Sequence, residues 1–325
     1  GGFGRRGETD FVKHSLILAK ELGKPVKVTW MREEDMQHGF YRPASLSRFQ
    51  IGLNKDGLPV SWNNQLASPS ILKRFFAPMG WFNIDPLSTE GADEIPYAIE
   101  DFNLDYTEVD SGVPVGFWHS VGSSFNAFFI ESAIDEAAHL AEQDPFLYRM
   151  NLLAGKNRFR DVLNKVAKES EWGRELPKGR GLGICIHKTR GSIAGAVIEV
   201  YTDDIGMLKL HKAWIAIDCG KVINPNTIRA QMEGGFTFGL SATLGEKITI
   251  KDGRVEQSNF HDYQILRLKG SPEISVEIIE SGNEIGGVGE VAVPLAAPAL
   301  ANAVFSSSGK RVRALPLSNH GIKIA

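Results

Sequence analysis

Glycine-rich turns, an aromatic loop with one histidine, an amide and a carboxylate are the parts of this chain that could do chemistry. The first segment is GGFGRRG, residues 1–7, in which the glycines free the backbone to approach a ligand closely. Its amides precede a predicted helix, and helix N-termini bind anions. The alternative is a plain tight turn, because the spacing is not GxGxxG and no predicted strand precedes it. From this segment alone the two interpretations are equally supported.

The second segment, GFWHSVGSSFN at residues 116–126, predicts a turn that leads into a helix. Ser123, Ser124 or Asn126 could cap that helix. The turn could face a ligand, but a buried aromatic corner is the favoured interpretation of this segment alone. Its candidate site residues are Phe117, Trp118, His119 and Ser120.

The third segment, IDCGKVINPNTIRAQMEGG, places the end of a strand at Asp218 and the start of a helix at Asn224 and Pro225. That helix carries Gln231, whose amide offers two donors and an acceptor and suits the edge of a heterocycle. A solvated polar residue is the alternative. It is favoured unless other segments converge on Gln231.

The fourth segment, NEIGGVGEVAVP, delivers one carboxylate, Glu290, from a flexible loop to the start of an apolar stretch. Desolvation there is expected to raise the pKa of Glu290 toward the working range of a general base. The alternative is an acid that only favours a helix start, and it is equally supported. The residues that precede this carboxylate in the candidate site are Gly287, Val288 and Gly289.

A mixture of helices and strands must position these four segments, so the predicted fold class is α+β with two mixed α/β subdomains. The charged, glycine-rich stretch RELPKGRGLG predicts a boundary between residues 174 and 175. Residues 68–98 are expected to form a long, partly buried loop. Apolar spacing predicts helices at 9–23, 126–143, 144–153, 159–172, 226–244 and after residue 290. Alternation predicts strands at 25–32, 181–188, 194–202, 208–217 and 273–281, with hairpins that turn on NKDG and on Asp252 and Gly253.

The composition argues against several classes of function. The 325 residues carry a net charge of −3, which argues against a general nucleic-acid binder. Cys185 and Cys219 are the only cysteines, too few to ligate an iron–sulfur cluster and not spaced for a structural zinc site. No run of about 18 apolar residues predicts a membrane span. The acids Glu131, Asp135 and Glu136 are expected on a solvated helix face rather than in a catalytic pair.

Taken in order, these segments resemble the molybdenum-binding subunit of the xanthine dehydrogenase/aldehyde oxidase family. The similarity is strongest to the branch of the isoquinoline 1-oxidoreductase beta subunit and related aldehyde dehydrogenases. It rests on the ordered motifs GGFGRRG, YRPA, VGFW.SVG, D.G.VINP....AQMEGG, NFHDYQILR, G.GEVAVP..APALANA and GKRVR.LPL. The resemblance implies the C-terminal half of such a subunit, either a truncated product or one piece of a split subunit. Residues 1–174 would be an N-terminally incomplete first molybdopterin-binding subdomain, and residues 175–325 a second one that carries Glu290.

The resemblance also implies a cofactor and roles for individual residues. The cofactor is molybdopterin in its cytosine dinucleotide form, with molybdenum held by the pterin dithiolene, so the protein supplies no metal ligand. Gln231 would be an amide beside the pterin. Glu290 would be the active-site base toward a water-derived oxygen that attacks an electrophilic carbon. The other implied cofactor contacts are Gly1, Gly2, Phe3, Gly4, Arg5, Phe117, Trp118, His119, Ser120, Gly287, Val288 and Gly289.

One residue departs from the family's motif. The branch usually reads GFWRSVG, whereas His119 here takes the place of that arginine. Arginine is always charged, while histidine can be neutral at pH 7. Substrate choice or anion stabilisation at this point is therefore expected to differ from that of the family.

The implied substrate is an aldehyde or an N-heteroaromatic ring, and electrons would leave through 2Fe–2S clusters on a separate small subunit. The missing N-terminal half as a separate chain and cytochrome c are further implied partners, in the periplasm or cytoplasm of a bacterium. One alternative is a non-catalytic truncated fragment or assembly scaffold that binds no cofactor alone. Another is a nucleotide-binding module at residues 1–7, which is disfavoured because no ribose-binding acid follows at about 20 residues.

Overall fold

A computed structural model describes residues 2–73 and 84–324 of the chain. The implied cofactor contact Gly1 and residues 74–83 of the predicted long loop lie outside the described residues. The chain contains both helices and strands, and the strands form mixed sheets, which confirms the predicted fold class. No helix in the described ranges is long and apolar enough to span a membrane.

The first third of the chain forms two helices and a small sheet. Helix α1 (Asp10–Leu22) ends at Gly23, whose left-handed φ of 61° suits a residue without a side chain. Helix α2 spans Arg32–Gln37. Strands β1 (Leu46–Leu53) and β2 (Pro59–Ser68) pair antiparallel around the predicted NKDG turn, and β3 (Asp101–Glu108) joins β2 in parallel.

The strand predicted at residues 25–32 is wrong. Its apolar residues alternate, but residues 25–31 have no regular secondary structure and α2 starts at Arg32. A strand forms only when a neighbour exchanges backbone hydrogen bonds with it. No strand in the described part of the chain pairs with these residues. Helix α1 before them buries none of its side chains.

Four more helices lie ahead of the larger sheet, the first of them between β2 and β3. The short helix α3 spans Pro86–Thr89, and α4 spans Ser123–Leu140. Helix α5 (Pro145–Leu152) begins as predicted, because the Asp144 carboxylate accepts hydrogen bonds from two amides of its first turn. Helix α6 spans Asn157–Glu169 and presents five buried side chains to the sheet and its neighbours.

The start of α4 differs from the prediction. Gly122 occupies the N-cap position and no side chain caps the helix. Ser123 and Ser124 lie inside the first turn, where the Ser124 hydroxyl bonds back to the carbonyl of Val121. Asn126 instead donates to the carbonyls that end α3 and follow it. The tight turn before residue 122 therefore fixes where the helix begins.

Helix α4 also carries acids that the sequence places in solvent, and for two of them that expectation is wrong. Glu131 and Asp135 are buried, at 2% and 1% exposure. They are compensated by Arg149 of α5, whose Nε donates to Glu131 at 3.0 Å. Glu136 alone stays partly exposed, paired with Arg313. Burial of these carboxylates is tolerated because each is paired.

The larger sheet is the centre of the second half. Strands β4 (Arg180–Thr189), β5 (Ser192–Thr202) and β6 (Met207–Asp218) confirm the three predicted strands, and β5 pairs antiparallel with both β4 and β6. Two further strands pair in parallel with β6: β9 (Glu273–Ile278) and β10 (Lys323–Ile324). A small hairpin of β7 (Ile250–Lys251) and β8 (Arg254–Val255) stands apart.

Helices cover both faces of this sheet. Helices α7 (Pro225–Leu244) and α8 (Val293–Ser308) pack on one face, and α6 packs on the other. Because side chains alternate along a strand, Ala196 and Ile198 of β5 face different helices from Val197. The hydrophobic core on the α6 face of the sheet is called the second core cluster. It contains residues of α4, α5 and α6 together with β4 and β5, so both halves of the chain build it.

The contact between β4 and α8 depends on one glycine. A Cβ at Gly183 would lie 2.1 Å from the carbonyl oxygen of Ala299, so only glycine allows the helix to come this close. Helix α8 starts three residues after Glu290. This packing therefore fixes the position of the carboxylate relative to the sheet.

Candidate active site

Glu290 lies at the end of a glycine loop that is hydrogen-bonded to the larger sheet. The amide of Gly286 donates to the carbonyl of Cys219 at 2.9 Å, and the amide of Gly287 donates to the carbonyl of Arg190 at 2.7 Å. The Ser192 hydroxyl donates to the Gly287 carbonyl at 2.6 Å. The glycine loop thus packs against the ends of β5 and β6. Its last residue, Glu290, directs its carboxylate toward the loop at residues 117–122.

Three groups contact the Glu290 carboxylate. The Ser120 amide donates to Oε1 at 3.0 Å, and His119 Nδ1 lies 3.5 Å from the same oxygen, the outer limit of a hydrogen bond. Arg190 Nε donates to Oε2 at 3.2 Å. The Glu290 side chain is 30% exposed, so it is reachable from solvent.

These contacts overturn the expected direction of the Glu290 pKa shift. The sequence predicts a raised pKa from desolvation, but the pKa of Glu290 is lowered to about 2. Contact with His119 lowers it most, and the Ser120 amide and Arg190 add to the effect, which together outweigh the desolvation. Glu290 is therefore an ionised carboxylate at neutral pH.

The loop before α4 holds its groups in a strained backbone. Ser120 and Val121 have φ angles of 71° and 47°, in the left-handed region that β-branched residues avoid. Such strain persists only where surrounding contacts enforce it, and it is concentrated at functional sites. Here the Ser120 hydroxyl donates to the Glu290 carbonyl, and Gly122 packs against the carbonyl of Leu87, which a Cβ would approach to 2.2 Å.

The N-terminal turn lies against the same loop. Phe3 and Gly4 have φ angles of 49° and 97°, and a Cβ at Gly4 would come within 2.1 Å of the Phe117 carbonyl oxygen. Gly2 precedes this turn, and its carbonyl accepts from the Arg5 amide. The Arg5 guanidinium forms two hydrogen bonds of 2.8 Å with the Asp10 carboxylate. Of the N-terminal residues, Phe3 reaches the cavity near Glu290, whereas the side chain of Arg5 is committed to Asp10.

Aromatic rings from three segments meet beside His119. Phe3 stacks on Phe238 of α7 at 5.0 Å between ring centroids and meets His119 edge-on at 4.9 Å. Trp118 lies 4.9 Å from Phe238, and the Arg42 guanidinium covers the ring of Trp118 at 4.3 Å. These rings form one wall of a cavity of about 660 Å³.

Gln231 lines the same cavity as Phe238 and lies on the same face of α7. Phe238 follows seven positions after Gln231, which is about two turns of the helix. The Gln231 amide oxygen would lie 4.0 Å from a Cβ at Gly289, so the amide faces the glycine loop that carries Glu290. The structure therefore brings together Gln231, Phe3, His119 and the loop of Gly287, Val288 and Gly289.

Three further residues of the site escape the sequence motifs. Phe238 lies outside AQMEGG, although its spacing of seven from Gln231 is a usable signal. Arg190 and Glu90 lie in segments that show no motif. The Arg190 Nη1 lies 3.3 Å from the Glu90 carboxylate, whose pKa is raised mainly by burial. This network becomes visible only once the turn between β4 and β5 is seen beside Glu290.

Two family models described as molybdopterin cofactor-binding domains match this chain, one at residues 1–152 and the other at residues 190–272. The chain belongs to the molybdenum-binding subunits of the xanthine dehydrogenase family. This confirms the resemblance found in the sequence.

Curated relatives support the same assignment. The chain is 31% identical to the beta subunit of isoquinoline 1-oxidoreductase from Brevundimonas diminuta, over 98% of its own length and 41% of the relative. It is 28% identical to the membrane-bound aldehyde dehydrogenase [pyrroloquinoline-quinone] of Gluconacetobacter polyoxogenes, over 98% of this chain and 45% of that protein. The chain thus spans less than half the length of these two relatives.

Solved structures share the fold. Quinoline 2-oxidoreductase from Pseudomonas putida 86 superimposes with a TM-score of 0.82 at 13% identity, over 98% of this chain and 66% of that one. The Cu,Mo-CO dehydrogenase superimposes with a TM-score of 0.80 at 13% identity, over 97% of this chain and 66% of that one. At this identity the comparison concerns the fold alone.

The residues present fit a molybdopterin. The cavity has the size of a small-molecule site, with aromatic walls for a planar ring and the Gln231 amide for a polar edge. No side chain stands between this amide and Gly289, where a Cβ would meet only the amide oxygen itself. The buried Nδ1 of His119 has no hydrogen-bond partner of good geometry among the described residues, and the acceptor it faces is Glu290 Oε1 at 3.5 Å.

Proposed function

We propose that this chain is the cofactor-binding and catalytic part of a molybdenum hydroxylase that oxidises an aldehyde or an N-heteroaromatic ring. The observation that supports it most is convergence. Phe3, His119 and Gln231 come from three distant segments and line one cavity. Glu290, from a fourth segment, contacts His119, and the loop that carries it faces Gln231. A cavity with aromatic walls, a few polar groups and a carboxylate of perturbed pKa is typical of a reaction site.

Residues of the chain would hold the cofactor and handle the proton. When bound, the molybdenum cofactor supplies activation of a water-derived oxygen and accepts the two electrons of the oxidation. Gln231 would bind a polar edge of the pterin, and the backbone of Gly287 and Gly289 would allow close approach. The rings of Phe3 and Phe238 would exclude water from one side of the cavity.

Glu290 would take up the proton. Because its pKa is about 2, the carboxylate is ionised throughout the neutral range and needs no prior deprotonation. An anionic ligand in the cavity would raise this pKa and so make the carboxylate a better base. The Ser120 amide, His119 and Arg190 fix the direction in which the carboxylate points.

The proposal includes finer features that the family resemblance implies. The cofactor carries the cytosine dinucleotide, and electrons pass to 2Fe–2S clusters on a small subunit and onward to an acceptor such as cytochrome c. The names of two relatives, an isoquinoline 1-oxidoreductase and a nicotinate dehydrogenase, describe each matching chain as one subunit of its enzyme. We place the boundary of the two molybdopterin-binding subdomains between residues 174 and 175, in the segment that joins α6 to β4.

Metal analysis tests the proposal. The purified chain, alone and copurified with a 2Fe–2S small subunit of the family, is assayed for molybdenum and for the nucleotide released by acid hydrolysis. Stoichiometric molybdenum and cytidine monophosphate are expected in at least one of the two preparations. Absence of molybdenum from both would favour the alternative of a non-catalytic fragment or scaffold. Molybdenum without a released nucleotide would overturn only the dinucleotide form.

A further inference from the structure

Arg190 occupies an unusual place for an arginine. It lies in the two-residue turn between β4 and β5, with a φ of 52°, and is followed by Gly191 with a φ of 78°. Glycine and asparagine suit the left-handed conformation, whereas a long side chain is disfavoured there. The carbonyl of Arg190 accepts the Gly287 amide at 2.7 Å, so the turn is tied directly to the Glu290 loop.

The Arg190 side chain bridges two carboxylates. Nε donates to Glu290 Oε2 at 3.2 Å. Nη2 donates to Glu90 Oε2 at 3.4 Å, and Nη1 lies 3.3 Å from Glu90 Oε1. The planar guanidinium presents its donors in a fixed fork, so Glu90 holds the edge that faces away from Glu290. The Glu90 contact thereby orients the Nε–H toward the carboxylate.

Arg190 is also the permanent positive charge at Glu290. The other contacts are the neutral Ser120 amide and the imidazole of His119. Within residues 2–73 and 84–324, no other lysine or arginine nitrogen lies within 4.0 Å of this carboxylate. The motif GFWRSVG, usual in the branch that the sequence resembles, has an arginine at the position of His119, which contacts the other carboxylate oxygen.

We propose that Arg190 is a positioning residue for Glu290, and that it supplies from the β4–β5 turn the kind of guanidinium that the motif GFWRSVG would place at position 119. Because the role of Glu290 as a base belongs to the proposed function, the catalytic part of this inference rests on that function. The positioning contact itself does not.

A thermodynamic cycle on the purified chain tests the contact without any cofactor. Thermal unfolding is measured for Arg190→Gln, Glu290→Gln and the double variant. The shift of the double variant is expected to differ from the sum of the single shifts, because either substitution alone breaks the contact. The matched control is Lys188→Gln on the same β4 strand, whose partner is the exposed Glu94, and its cycle with E290Q is expected to be additive. An additive Arg190 cycle would refute the positioning role.

Moving the guanidinium from position 190 to position 119 tests whether either position can supply the charge to Glu290. The measured quantity is the stability that Glu290 contributes between about pH 4.5 and about pH 2, taken as the difference from the matching E290Q protein. R190Q is expected to reduce it, R190K to keep part of it, and His119→Arg in the R190Q background to restore it. A folded H119R/R190Q protein without restoration would refute this part of the proposal. If H119R prevents folding, equal values for R190K and R190Q would count against a role of the charge.

Kinetics of the molybdenum-loaded enzyme then test the catalytic consequence. R190Q is expected to lower kcat/KM about tenfold at unchanged molybdenum content. The acid limb of its pH profile should move upward, because loss of the cation raises the pKa of Glu290. The titratable groups that remain nearby are His119 from the loop before α4 and Glu90 and Asp93 after α3. K188Q should leave rate and profile unchanged, and an unmoved acid limb in R190Q would contradict the proposal.

Discussion

Ser120 and Glu290 are joined twice: the Ser120 amide donates to the Glu290 carboxylate at 3.0 Å, and the Ser120 hydroxyl donates to the Glu290 backbone carbonyl at 2.5 Å. One bond orients the side chain and the other fixes the backbone that carries it. The strained φ angles of Ser120 and Val121 are compatible with this double contact. The loop before α4 is therefore part of the same unit as the glycine loop before α8.

Replacement of Glu290 by Gln is expected to leave the cofactor bound and to abolish turnover. Glutamine keeps the shape and can still accept from the Ser120 amide, but it cannot take up a proton. We expect a loss of kcat of at least about 10²-fold, in the range of general-base removal. Molybdenum content and steady-state rates of the assembled enzyme check this. Near-normal turnover would mean that another group is the base.

The low pKa of Glu290 makes a pH prediction for stability. The folded pKa of about 2 lies below the ordinary value of 4.5, so the contribution is present above about pH 4.5 and is lost as pH falls toward 2. Its size is about 1–2 kcal/mol, because the carboxylate is partly exposed and solvent screens its partners. The unfolding midpoints of wild type and E290Q should therefore converge at low pH. A difference that is constant from pH 6 to pH 2 would contradict the shift.

Phe238 is expected to support the cofactor site from outside the sequence motifs. Its ring contacts Phe3, Trp118 and His119, so Phe238→Ala opens the cavity wall. Each aromatic contact is worth about 0.5–1.5 kcal/mol, which predicts at least a tenfold weaker retention of molybdenum after dialysis. Phe260→Ala is the matched control, because Phe260 is exposed and is not among the residues that line this cavity. Equal retention in both variants would remove Phe238 from the site.

The buried Arg149 is expected to matter for folding rather than for chemistry. Its guanidinium is fully buried and donates to the Glu131 side chain and backbone and to the Pro145 carbonyl. Arg149→Met leaves Glu131 as an uncompensated buried charge, which costs about 3–5 kcal/mol. Arg313→Met removes an exposed partner of Glu136 and should cost about 0–1 kcal/mol. Denaturant unfolding of the two variants compares them, and similar midpoints would be the contrary result.

Much of the fold follows from local sequence signals. Such signals come from neighbouring residues, and three of them are confirmed: the start of the helix predicted at 144–153, the NKDG hairpin, and the three strands predicted between 181 and 217. The strand at 25–32 fails because a strand also needs a pairing partner, which local alternation does not reveal. The predicted exposure of Glu131 is wrong for a similar reason, because the Arg149 that compensates its charge comes from another helix.

The site was predictable to the extent that its residues lie in ordered motifs. Phe3, His119, Gln231 and Glu290 are such residues, and the structure brings them together. The pKa of Glu290 was predicted in the wrong direction, because its loop sequence shows apolar neighbours but not the donors from residues 119, 120 and 190. A contact between a β-turn and a distant loop leaves no pattern in either segment.

The core shared by the two halves has a consequence for limited proteolysis. The segment between α6 and β4 offers the exposed Lys178, whereas the second core cluster joins helices before it to strands after it. A single cut by trypsin at this segment would therefore yield two bands under denaturing conditions and one particle under native conditions. Covalent continuity at this point and integrity of the site are separate properties of the molecule. Side-chain packing, and not the connecting peptide, holds the two halves of the chain together.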